Sequence, residues 1–352
     1  MLTREMEREI QELTVQNYRV VVPIFFTMCI MGVLANAIVI IALIITKVRT
    51  PTVTIISSLS FSDMWASSVV AASLLYNSYI PILYQDFEIN PCISLTLELF
   101  RTGGLITGTL HLLLISIHHY IGITRPYYKR AYTTKTFIVC ILIWILPSLF
   151  LVILASSFKN QGFRNCWEFD NFYHTRVFRV SVSTTIVIIF LIIIFCYARM
   201  IYLLRLKRRK WQSRSASNKT KNDNRTVHTT VLICSSFFIG WAPATIQFAI
   251  TCGRCQLMRF ETVQGYKFLF YFSCLQLTFL LGKTLMNPLI YSFRIPEVDR
   301  ELRKMHNSIK TFFTRLTKRE PTNPRKYNLK VNELNDGNAS KILIKDIEPI
   351  EK

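Results

Sequence analysis

The sequence predicts an all-α fold: a seven-transmembrane helix bundle followed by a short amphipathic cytoplasmic helix. Three observations predict it. The 352 residues are 51% hydrophobic, and the apolar residues lie in long uncharged runs instead of at amphipathic spacing. The runs 20–46, 136–158 and 226–253 contain no Asp, Glu, Lys or Arg, and each exceeds the roughly 20 residues that cross about 30 Å of hydrocarbon. Positive charge is gathered just beyond apolar runs, with ten Lys and Arg in 199–225 and ten in 294–326.

Taken in order, residues 1–19 carry Arg4, Glu5, Glu7, Arg8, Glu9 and Glu12 where a signal peptide needs an apolar core. The first span is therefore expected to be its own anchor, with 1–19 as an extracellular segment. Span two covers about 52–80 around Asp63, and span three about 93–124 after Cys92. Span four is the charge-free run after Lys135, span five covers about 177–204, span six follows Arg225, and span seven covers about 265–293 around Lys283. The membrane domain is 20–311. Residues 312–352, broken by Pro321, Pro324, Asn335 and Gly337, are expected to form a disordered cytoplasmic tail. The positive-inside rule places both basic stretches in the cytoplasm and the N-terminus outside. The formal charge of +21 is thereby read as topology and contact with anionic membrane lipid, not as nucleic-acid binding.

Cys29, Cys140, Cys196, Cys234 and Cys274 fall inside spans, where a thiol is a small hydrophobe. Cys92, at the mouth of span three, and Cys166, in the loop after span four, are expected to form a disulfide in the oxidising exterior. Cys252 and Cys255 either close a small ring of their own or stand as a dithiol; a zinc site lacks a second pair nearby. No phosphate-binding glycine loop, His-Glu-x-x-His or Gly-x-Ser-x-Gly is present, so neither an enzyme nor a bound cofactor or metal is expected.

Near the inner end of span seven, Asn287, Pro288 and Tyr291 form a polar, bendable joint, because a proline frees a backbone carbonyl within the membrane. With this motif, the chain carries Gly-Val-Leu-Ala-Asn at 32–36, Leu-Ser-Phe-Ser-Asp at 59–63, Trp144, and Phe237 with Trp241 and Pro243. Together these resemble the rhodopsin-like G-protein-coupled receptors over about 20–308. The resemblance implies a plasma-membrane receptor for an extracellular ligand, with a heterotrimeric G protein or arrestin as cytoplasmic partner. Residues 295–311, basic and amphipathic, look like the family's helix along the inner membrane surface. The implied mechanism has Trp241 and Phe237 relaying the change, Pro243 and Pro288 flexing, and Tyr197 meeting Tyr291 in the open state.

The departures matter equally. Where the family carries Asp-Arg-Tyr, this chain has His118, His119 and Tyr120, and histidine is shorter than arginine and mostly neutral at pH 7. Coupling through the remaining cytoplasmic contacts and a weakly coupling or decoy receptor both remain open. Span five has Ile189 where the family has proline. Asp63 and Asn287 belong to the family's sodium site, but Lys283 brings a cation of its own. An Asp63–Lys283 pair is expected, against the alternative that Lys283 turns to water or a carbonyl. An opsin-like photoreceptor would need its lysine at 281, which is Leu.

Where amine receptors place an aspartate, this chain has Arg101. That favours an anionic or zwitterionic small molecule, a lipid or a peptide C-terminus as ligand. Glu98, three residues earlier, either pairs with Arg101 along the helix or helps to bind a zwitterionic head. Trp241 and Phe248 are candidates for the apolar wall.

Overall fold

A computed structural model describes residues 4–45, 50–84, 87–124, 133–167, 171–211, 218–251, 262–294 and 296–317. Eight principal helices follow one another among them: α1 Arg4–Ile45, α2 Pro51–Leu74, α3 Pro91–Thr124, α4 Thr133–Ser157, α5 Arg176–Trp211, α6 Asn218–Ile250, α7 Val263–Arg294 and α8 Pro296–Thr317. By length and composition α1, α2, α3, α4, α5 and α7 are each able to cross a membrane, and α6 contributes a shorter described apolar stretch, Phe238–Ile250. A helix stands at each of the seven expected spans, and six of them are apolar over a membrane-crossing length among the described residues. Several bounds differ from expectation, with α5 running on to Trp211 and α6 beginning at Asn218, before Arg225. Helix α1 begins at Arg4, well before the charge-free run, and α8 ends at Thr317 instead of 311.

The first compact unit, Met1–His306, holds the bundle. Helix α3 is central and packs against α2, α4, α5 and α6, while α1 bridges α2 and α7. One core cluster, with Leu59, Leu112, Ile115, Tyr197, Trp241 and Leu281, runs through the middle. A second gathers Leu99, Leu151, Cys166, Phe172 and Tyr173 near the Cys92–Cys166 disulfide. On the outside, Leu34 and Ile41 of α1, Leu146 and Ile153 of α4, and Leu191 and Phe195 of α5 are exposed, as expected of helices solvated by lipid. The second unit, from Asn307, contains the end of α8, where Thr311 and Thr314 hydroxyls donate to the Asn307 and Lys310 carbonyls.

Prolines shape the bundle through the carbonyls they free. Pro288 has no N–H for the Thr284 carbonyl one turn earlier, and Asn36 Nδ2 of α1 donates to that carbonyl at 2.9 Å. Pro147 leaves the Ile143 carbonyl in the same condition, and Thr107 Oγ1 of α3 donates to it at 3.2 Å. Each freed carbonyl is thus tied to a neighbouring helix, which is how membrane helices tolerate proline. Helix α5 carries no such interruption, and Ile189 packs in the core.

Candidate functional site

Near the disulfide, the loop after α4 folds back over α3. The Cys92 and Cys166 Cα atoms lie 5.1 Å apart, and the link holds Phe172 and Tyr173 down in the core. The Tyr173 hydroxyl donates to Glu98 Oε2 at 2.9 Å and lies 3.1 Å from Thr102 Oγ1. Burial, then the Glu98 carboxylate, raises this phenol above its ordinary 10.0, so it stays a donor.

Arg101 Nη2 also donates to Glu98 Oε2, so the pairing along the helix is the arrangement found. The arginine still keeps 37% of its side chain exposed. A cavity of about 370 Å³ opens beside it, lined by Glu98, Arg101 and Thr102 of α3, Arg179 of α5, Trp241 and Phe248 of α6, and Leu277 and Leu280 of α7. Tyr18 and Phe25 of α1 and Val70 of α2 complete the apolar wall. The volume is within the range of small-molecule sites, roughly 300–1,000 Å³. Glu98, Arg101, Trp241 and Phe248, singled out from the sequence, share this one cavity.

Arg179 was not singled out. It lies three residues past Arg176 at the start of α5, and its sequence position does not reveal that it turns inward. Its Nε donates to the Tyr173 carbonyl at 3.1 Å, and its Nη1 to the Thr251 hydroxyl at 2.7 Å and the Thr251 carbonyl. His174 Nδ1 accepts from Nη2 at 2.9 Å, which fixes the proton of the neutral ring on Nε2. The guanidinium also sits 5.0 Å from the Phe248 ring centroid, a cation–π distance. Burial, then Arg179, pushes the His174 imidazole below its ordinary 6.5.

A second polar group lies within the bundle. Lys283 Nζ donates to Asp63 Oδ1, and Asn287 Nδ2 donates to Asp63 Oδ2 at 2.7 Å. Asn287 Oδ1 accepts from Ser236 Oγ of α6 at 3.1 Å. Gly240, one turn along α6, allows Lys283 to pass, because a Cβ there would sit 2.5 Å from Lys283 Cβ and 3.1 Å from the Phe279 carbonyl oxygen. Lys283 does not line the cavity, and Leu281 is fully buried.

His111, read from sequence as a packed histidine, links three helices. Its Nδ1 lies 2.8 Å from the Thr107 carbonyl and its Nε2 2.6 Å from Ser58 Oγ, which accepts from Trp144 Nε1 at 3.3 Å. Towards the C-terminal end of α3, the rings of His118 and His119 stand 5.9 Å apart, and Tyr120 packs on the core. The Tyr197 hydroxyl lies 3.1 Å from Ser116 Oγ. The side chains of Phe237 and Tyr291, and all of Cys252 and Cys255, lie outside the described residues. The expected meeting of Tyr197 with Tyr291 and the second cysteine ring fall there too.

Comparison with known proteins agrees with the seven-helix fold. The family described as "7 transmembrane receptor (rhodopsin family)" matches residues 35–291. The chain is 25% identical over 297 residues to sphingosine 1-phosphate receptor 1 of Danio rerio, spanning 81% of this chain and 77% of that one. It is 20% identical over 302 residues to lysophosphatidic acid receptor 1 of Homo sapiens, spanning 82% of this chain and 76% of that one.

Proposed function

We propose, because this chain belongs to the rhodopsin family of seven-transmembrane receptors, that it responds to an amphiphile whose anionic or zwitterionic head binds at Arg101 and Glu98. The observation that carries this reading is the composition of the cavity. Its lining holds two guanidiniums against one carboxylate, Arg101 and Arg179 against Glu98, beside apolar side chains that include Val70, Phe25, Trp241 and Leu280 and neutral polar ones such as Asn77 and Gln247. Such a lining suits a charged head on a hydrocarbon body and offers little to a ligand held by its ammonium alone. The names of the two relatives, sphingosine 1-phosphate receptor and lysophosphatidic acid receptor, denote anionic lipids and support the same class here.

In this reading the disulfide end faces outward at the plasma membrane, and the basic stretches after α5 and α7 face the cytosol. Binding acts by population shift: the ligand contacts Trp241 differently in two arrangements of α6 and favours the one with a cytoplasmic cleft. Pro243 and Pro288 are the flexing points, and the cleft takes a G protein or arrestin. His119 in place of arginine favours, as a second reading, a receptor that recruits arrestin more readily than it turns over G protein. The photoreceptor alternative draws no support from the geometry, since the Lys283 ammonium is engaged by Asp63 away from the cavity.

The test is a panel of lysophospholipids, each beside its dephosphorylated analogue, applied to cells reporting arrestin recruitment and several G-protein outputs. Responses to phosphate-bearing members that are lost in Arg101→Gln support the reading. Equal responses to the neutral analogues would overturn the role of the head group.

A further inference from the structure

We infer that Arg179 is a ligand-binding residue as well as the cap of α6, so that an anion entering the cavity competes with Thr251 for its guanidinium. The inference rests on the anionic-head reading above. It begins from an imbalance: Arg179 is 9% exposed, yet among the described residues no carboxylate pairs with it. Its acceptors are all neutral, namely the Tyr173 carbonyl, the Thr251 hydroxyl and carbonyl, and His174 Nδ1. A buried cation whose direct partners are dipoles and ring faces, and which feels the Glu98 carboxylate only through space because Arg101 and Tyr173 hold it, gains from a mobile anion.

Two of those acceptors belong to the end of α6. The helix stops at Ile250, and Thr251 follows directly, so its carbonyl is among the groups left without a helical donor. A cation there also meets the negative end of the helix dipole. Arg179 therefore ties the start of α5 to the end of α6 across the cavity mouth. Four of the five guanidinium N–H groups are engaged, which leaves one Nη2 hydrogen for a newcomer.

Arg101 supplies the second contact. It lines the same cavity with part of its side chain exposed, and its own partner Glu98 already accepts from Tyr173. A phosphate or carboxylate between the two arginines takes the free Nη2 hydrogen first and then draws Nη1 off Thr251. Loss of that cap releases the end of α6 on the side where Phe248 and Trp241 face the ligand. Occupancy of the head-group site is thereby linked to the helix that the proposed activation moves.

The experiment is ligand-induced thermal stabilisation and competition binding on purified full-length receptor. The probes are an oleoyl glycerol phosphate and the oleoyl glycerol that lacks the phosphate. Wild type is expected to bind only the phosphate, with affinity falling as salt rises. Arg179→Gln is expected to weaken it by about tenfold or more, the loss of a charged hydrogen bond, and Arg179→Lys by less. Thr251→Val, which removes a competing acceptor, is expected to tighten binding, a change of sign that a purely structural arginine would not produce. Unchanged affinity in Arg179→Gln overturns the inference. Should that variant not fold, weaker or unchanged affinity in Thr251→Val overturns it instead. Equal binding of both probes by wild type would overturn the anionic-head reading itself, whereas a phosphate-selective wild type whose affinity is unchanged by the Arg179 and Thr251 substitutions would remove only the present inference.

Discussion

Lys283 of α7 donates to Asp63 of α2, and the two side chains retain only 1% and 3% of their surface. An ion pair this deeply withdrawn contributes little net stability as a pair, but removing one member leaves a buried charge with no counterpart. Lys283→Ala and Asp63→Asn should therefore each destabilise the receptor by about 3–5 kcal/mol. The double variant Asp63→Asn with Lys283→Met keeps the acceptor for Asn287 and should recover most of the loss. Thermal unfolding of the four proteins forms the cycle; additive losses would mean the two groups are not coupled.

The same pair bears on sodium. The family resemblance puts a sodium ion beside Asp63, and here an internal ammonium is bonded to that carboxylate. Replacing sodium by choline at constant ionic strength should leave ligand affinity unchanged in wild type. A clear sodium effect on wild-type binding would show that Lys283 does not take the ion's place.

Gly240 fixes how closely α6 rests on α7. With a Cβ only 2.5 Å from Lys283 Cβ, Gly240→Ala forces the helices apart at a cost of about 1–3 kcal/mol. The nearby Ser236–Asn287 bond should weaken with it. Because the strain falls on the arrangement with α6 closed onto α7, ligand-free signalling should rise. Basal arrestin and G-protein output, normalised to surface receptor, measures this, and a basal level equal to wild type would rule out a clasp at this contact.

The bundle was legible because hydrocarbon imposes long uncharged runs, and motif spacing then identified Asn36, Asp63, Trp241 and Asn287 without knowledge of the packing. The Asp63–Lys283 contact could be anticipated for the same reason: two opposite charges in lipid-facing spans have few other partners. Arg179, Tyr173 and Gly240 were not anticipated. The first two act through a loop folded back by the disulfide, and the third acts by lacking a side chain. Each depends on which faces of distant helices meet, which a residue pattern along one helix does not encode. The Asn36 to Thr284 bond belongs between these cases, since Pro288 announces a freed carbonyl but not its donor.

That bond gives a further test. Asn36 is fully buried, and its Nδ2 is shared between the Gly32 and Thr284 carbonyls. Asn36→Leu strands the Thr284 carbonyl in an apolar setting and should cost about 1–3 kcal/mol. Asn36→Asp removes the donor as well and should be no better tolerated. Midpoints of thermal unfolding in detergent check both, and a neutral Asn36→Leu would mean that Pro288 is accommodated in another way.

Acidification should loosen the mouth of the cavity through His174. Its imidazole is pushed below 6.5 by burial and by Arg179, so the unfolded chain binds the proton more readily than the folded one. The associated stability is fully present above pH 6.5 and is lost as pH falls through the lowered folded value. Protonation also removes the acceptor that His174 Nδ1 offers Arg179. Thermal stability measured from pH 7.5 down to about pH 5 should decline in wild type and less steeply in His174→Gln. Parallel curves would exclude His174 as the source.

The sharpest functional test lies at His119, where the family places an arginine. An imidazole near the C-terminal end of α3 offers at most two donors and a short reach, whereas a guanidinium offers five donors and a fixed charge. His118 stands in the preceding position, where the family has a carboxylate, so a new arginine at 119 gains no acidic neighbour there to hold it in the closed state. His119→Arg should therefore strengthen G-protein contact more than it restrains the resting receptor. One charged hydrogen bond, about 1.5–3 kcal/mol, predicts a rise in ligand-stimulated nucleotide exchange of about tenfold or more, with arrestin recruitment changed less. Exchange measured on reconstituted receptor with purified G proteins separates the two, and an unaltered rate would remove His119 from the coupling mechanism.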